Sequence, residues 1–90
     1  VVVVDDEADA RETVVEYLKR YGFKKIQTFE DGESALQYVV QHADEVGLII
    51  ADWEMPKMKG VELLSVCRSM DALKEIPFFI ITSQVSMERM

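Results

Sequence analysis

The sequence predicts a doubly wound α/β domain, a parallel sheet with right-handed crossovers and helices on both faces. Three observations carry that reading. Short apolar runs alternate with amphipathic segments along the whole of the 90 residues, without an internal repeat or a linker, which is the order that builds a parallel sheet. Two of the runs, the β-branched Val1–Val4 and Leu48–Ala51, are continuous, as strands buried on both faces are. Three of the runs end in acids or hydroxyls, and in open parallel sheets ligands bind outside the carboxyl ends of the strands.

Val1–Val4 reads as the first strand, closed by Asp5 and Asp6. From about Ala8 to Tyr21 the apolar positions Val14, Val15, Leu18 and Tyr21 recur at helical steps, and Gly22 supplies a left-handed stop. Lys25–Phe29 gives a short second strand, and Glu30-Asp31-Gly32 turns the chain. A second helix follows from about Glu33 to His42, with Ala35, Leu36, Val39 and Val40 on its apolar face. The third strand, Leu48–Ala51, ends in Asp52. The loop Trp53–Lys59 contains Met55-Pro56, and Gly60 precedes a third helix that runs to about Met70. Pro77 opens the fourth strand, Phe78–Ile81, which ends in Thr82 and Ser83.

Ninety residues make one domain with a single modest core. The balance of 49% hydrophobic and 30% charged residues is that of an ordinary globular chain. A net charge of −7 disfavours nucleic acid or an anionic membrane as a direct partner and suits a cation site. Cys67 has no partner for a disulfide and, among Leu63, Leu64, Val66 and Met70, reads as a small core hydrophobe. No run approaches the roughly 20 apolar residues of a membrane helix and no signal peptide is visible, so the expected location is the cytoplasm. The chain opens inside an apolar run, so residues ahead of Val1 are expected to be missing.

The doubly wound topology brings the strand ends together, and with them Asp5 and Asp6, Asp52, and Thr82 with Ser83. Carboxylates repel at short range, by about 4 kcal/mol for a pair 4 Å apart at an effective dielectric of 20, so the cluster calls for a counter-ion or a raised pKa. The ligands on offer are all oxygens, a hard donor set that suits Mg²⁺ and not zinc or copper. Each feature has a plainer reading as a turn or cap residue; the combination is what is specific.

Asp5-Asp6, then Asp52-Trp53-Glu54-Met55-Pro56 with Gly60, then Ile81-Thr82-Ser83 resembles the receiver domain of response regulators. The resemblance spans residues 1–90 and implies a flavodoxin-like receiver fold, in a partial form that lacks residues at its N-terminus and, after the fourth strand, the last two helices and the last strand. It also implies the site. Asp52 would be the phosphoacceptor, Asp6 would bind Mg²⁺ together with Asp52 and the backbone carbonyl of Glu54, Asp5 would act mainly through water, and Thr82 would be the switch hydroxyl. Glu54 and Gln84, two residues after Asp52 and Thr82, would by the same resemblance occupy positions that border the site and influence how long the phosphoryl group survives. The implied partners are a sensor histidine kinase or phosphotransfer protein and a downstream output domain or protein. The implied activity is signalling, with no enzymology beyond self-phosphorylation and self-dephosphorylation.

Mg²⁺-dependent phosphohydrolases also use a strand-end Asp, but resemble Asp-x-Asp-x-Thr, and the residue two after Asp52 is Glu54. No glycine-rich loop follows the first strand, so nucleotide binding is not supported. His42 sits at a helix end on no ligand pattern, Trp53 is expected partly exposed beside the acids, and the scattered methionines read as gap fillers. Without a fifth strand, Phe78–Ile81 would be an open apolar edge, for which a dimer or a strand-exchanged pair is expected.

Overall fold

The computed structural model describes residues 1–55 and 58–81. Four strands, β1 (Val2–Val4), β2 (Gln27–Phe29), β3 (Ile49–Asp52) and β4 (Phe78–Ile81), form one parallel sheet in the order β2-β1-β3-β4. The crossovers are α1 (Ala8–Arg20), α2 (Gly32–Gln41) and α3 (Gly60–Ser69). This is the doubly wound architecture that the alternation of apolar runs predicts.

The strand residues alternate between the two faces. On one, Val2, Val4, Ile49 and Ala51 meet Ala35 and Val39 of α2 and Leu63 and Cys67 of α3, all buried, with Leu73 and Ile76 from the α3–β4 connection completing the core. Arg68 ties that connection down by donating to the Ile76 carbonyl (2.9 Å). The other face carries Val3, 1% exposed, on the side that α1 covers with Leu18. Helix α1 ends as its glycine dictates. Gly22 has φ +92°, and the amides of Gly22 and Phe23 donate to the carbonyls of Lys19 (3.1 Å) and Leu18 (3.0 Å), the paired closure that a left-handed residue permits.

Two apolar side chains expected on buried helix faces point outward. Tyr21 lies past the last helical turn and is 80% exposed, and Val40 is 45% exposed because Leu36 and Val39 already fill the α2 side. The second strand is shorter than read from the sequence, and Lys25 and Ile26 precede it. A short 3₁₀ turn, Ala43–Glu45, was not legible in the sequence.

Candidate functional site

Strand register assembles the site. Val4 lies level with Ala51 in the β1–β3 pair, so Asp5 and Asp52, each one residue further on, leave the sheet side by side. Asp6 follows in the turn to α1. Carboxylate oxygens of Asp5, Asp6 and Asp52 all lie within 4.8 Å of one another. Asp5 and Asp52 are buried and Asp6 is exposed, so the cluster has a fixed floor and an open rim. These are the three acids that the sequence singled out.

Asp5 is held on several sides. Its amide donates to the Phe29 carbonyl (3.0 Å), its Oδ1 accepts from the Glu7 amide (2.9 Å), and its carbonyl accepts from Nη1 of Arg11 (2.7 Å). Burial pushes the Asp5 carboxyl above its ordinary 3.8; the Glu7 amide opposes the shift, the charge of Asp6 adds to it, and the Arg11 guanidinium opposes it. With one oxygen committed to the Glu7 amide, Asp5 has less freedom to act as a direct ligand than Asp6. The contribution of Arg11 was missed from the sequence, where an arginine one turn into a helix gives no signal beyond following the acidic pair.

The loop after Asp52 is pinned at both ends. Trp53, 46% exposed as expected, donates its amide to the Ile81 carbonyl (2.7 Å), and the Gly60 amide donates to the Trp53 carbonyl (3.1 Å). A side chain at position 60 would run into the Asp52 carbonyl, so glycine lets α3 start against the strand that carries the acid. Met58 lies over Gly32 at the start of α2, where a Cβ would come within 2.8 Å of the Met58 Cβ. Glu54 is exposed two residues beyond Asp52. Thr82 and Gln84 lie outside the described residues; Asp52 pairs with Ile81, the residue before Thr82.

His42 and Cys67 stand apart from this cluster. The His42 ring stacks on Tyr38 at 4.1 Å, with Nδ1 2.9 Å from the Tyr38 carbonyl, which accounts for it as a helix-end residue. Cys67 is buried in the core, and burial pushes its thiol up, the reverse of what a reactive thiol needs. No described helix is long and apolar enough to cross a membrane.

The residues fit a hard divalent cation: three carboxylates converge, the donors are oxygens, and burial disfavours the charged form of Asp5, which a cation would restore. Comparison with known proteins identifies the family and the fold. The family described as "Response regulator receiver domain" matches residues 1–90. Chemotaxis protein CheY-3 of Vibrio cholerae is 32% identical over 89 residues, covering 99% of this chain and 67% of that protein. The solved structure of the chemotaxis response regulator CheY4 of Vibrio cholerae, 30% identical, superposes with a TM-score of 0.82 over 98% of this chain and 71% of the other. A CheX-CheY-BeF3-Mg²⁺ complex from Borrelia burgdorferi contains a chain that is 26% identical, with a TM-score of 0.83 over 98% of this chain and 64% of that one. The chain thus spans about two thirds of the length of its relatives. It belongs to the response regulator receiver domain family.

Proposed function

We propose that this receiver domain accepts a phosphoryl group on Asp52 from a phosphohistidine of a sensor histidine kinase or phosphotransfer protein, with Mg²⁺ at Asp6, Asp52 and the Glu54 carbonyl. The observation that carries the reading is the convergence of Asp5, Asp6 and Asp52 at adjoining strand ends. The Borrelia relative, a CheY in complex with CheX, BeF3 and Mg²⁺, supports it.

An Asp52 carboxylate oxygen would bond to phosphorus as the P–N bond to the donor imidazole breaks, the imidazole keeping the electron pair. Such a transfer asks for alignment and charge neutralisation more than for proton movement. A bound Mg²⁺ would supply charge neutralisation and a template for the phosphoryl oxygens. The strand supplies alignment, since Asp52 is the last residue of β3 and is buried. Asp5, tied to the Glu7 amide, acts mainly through water, and the Thr82 hydroxyl donates to a phosphoryl oxygen once the group arrives. Phosphorylation then changes the affinity for a downstream output domain or protein. The setting is cytoplasmic, and the chemistry is limited to self-phosphorylation and self-dephosphorylation.

Intact-mass measurement after incubation with a phosphodonor and Mg²⁺ tests the assignment. Wild type gains one phosphoryl group, and Asp52→Asn, with an amide too weak as a nucleophile, gains none. Wild-type levels of label in that variant would exclude Asp52.

A further inference from the structure

Arg11 is out of place by ordinary helix rules. It lies in the fourth position of α1, near the end where the helix dipole disfavours a cation. Its side chain nevertheless folds back, half-buried, to the end of β1, and donates to the Asp5 carbonyl at 2.7 Å. That carbonyl belongs to the peptide that joins the two acids. Turning it would swing the Asp6 backbone, and Asp6 with it, relative to Asp5 and Asp52.

Among the described residues, little else fixes that peptide from the helix side. The N-cap residue of α1, Glu7, makes no side-chain capping bond. The turn is instead held through Asp5, whose Oδ1 accepts from the Glu7 amide (2.9 Å), and through Arg11, whose own amide donates to the Glu7 carbonyl (3.0 Å). The bond from the Arg11 amide is the ordinary first bond of the helix, so what is particular to Arg11 is its side chain, which reaches back across the turn to the Asp5 carbonyl.

We propose that Arg11 is a positioning residue of the acidic site: by holding the carbonyl of the Asp5–Asp6 peptide it sets the angle at which Asp6 faces Asp5 and Asp52, and so readies the three carboxylates for a divalent cation. The proposal rests on the Mg²⁺ reading above. Arg11 also carries positive charge close to the cluster, and charge alone would repel an incoming cation. The two roles have opposite signs: removing a mere counter-ion tightens cation binding, whereas removing a positioning residue weakens it.

Arg11→Met keeps the aliphatic bulk and loses the donor and the charge, while Arg11→Lys keeps a donor and the charge. Mg²⁺ affinity, titrated through Trp53 emission, is expected to weaken about tenfold in Arg11→Met, the scale on which partners that orient metal ligands act, and to recover in Arg11→Lys. Amide hydrogen exchange at Glu7, measured without metal, is expected to quicken about tenfold in Arg11→Met, as befits loss of one charged hydrogen bond, with the melting temperature near that of wild type. Tighter Mg²⁺ binding in Arg11→Met, or unchanged exchange at Glu7, overturns the proposal. If wild type takes no Mg²⁺, the cation reading fails, and the exchange measurement still decides whether Arg11 holds the turn.

Discussion

Burial disfavours the charged form of Asp5, and the sign of its effect on stability follows. A carboxyl whose folded value is raised by burial stabilises the fold while protonated; that contribution is fully present below about 3.8 and is lost as pH rises through the raised folded value. At neutral pH, without metal, ionised Asp5 therefore weighs against folding. Asp5→Asn keeps an oxygen for the Glu7 amide and removes the charge, so it should melt higher than wild type at neutral pH and lose that advantage at pH 3; thermal scans at both pH values check this. Asp6→Ala should weaken Mg²⁺ binding by more than about tenfold, beyond the effect of partners outside the coordination sphere, and an unchanged titration of Trp53 emission would count against the site. The acids were legible in the sequence because each ends an apolar run, and a buried strand has few reasons to end in a carboxylate pair. Arg11 was not, because its role depends on a side chain bending back across a turn, which leaves no periodic trace.

Among the elements, strands made of continuous apolar runs were easiest to read, and the observed bounds of β4 match the run Phe78–Ile81 although alternate residues of it are exposed. β2 was harder: Gln27 and Thr28 are exposed on an edge strand, so hydrophobicity hardly marks where it begins. Tyr21 and Val40 misled because apolar character says nothing about whether a neighbouring element reaches that side. Gly60 was read as preceding the third helix, whereas it is the first residue of α3, and the structure adds the reason for a glycine there, the absence of room beside the Asp52 carbonyl. Alanine normally favours a helix over glycine by up to about 1 kcal/mol. Here the added methyl must displace backbone, so Gly60→Ala is expected to be destabilising on balance, by about 1–3 kcal/mol as overpacking usually is, and to weaken Mg²⁺ binding with it. Denaturant unfolding reads the first effect; a stabilised variant would show that α3 can shift away freely.

At the scale of the molecule, the described residues cover the two sides of the sheet unequally. Phe78 packs against the core, whereas Phe79 is 60% and Ile81 36% exposed on the alternate positions of the same edge strand. Unpaired strand edges with apolar side chains recruit other chains. The 90-residue chain is accordingly expected to self-associate through β4, as a dimer by edge pairing or strand exchange, and Phe79→Lys, which puts a charge on that edge, to shift it towards monomer. Light scattering across a concentration series checks both, and a wild-type monomer at every concentration would show that the edge is protected in solution. The fold class was legible in full from the alternation of runs. This imbalance between the faces was legible only through the resemblance to a longer family, since nothing within a strand's own sequence tells how many helices cover it.

The level register of Val4 with Ala51 also means that the site is written in chain length as much as in composition. Losing one residue from Ile49–Ala51 would leave every carboxylate in the sequence, yet turn Asp52 to the opposite face of the sheet, because strand side chains alternate with a period of two. Gly47, ahead of β3, is exposed, with no atom within 4 Å of where its Cβ would be, and an added residue there has somewhere to go. Tolerance of insertions should therefore change from permissive to prohibitive within a few positions, and a scan of single-residue insertions from Gly47 to Asp52 would trace the boundary between a spacer and a ruler.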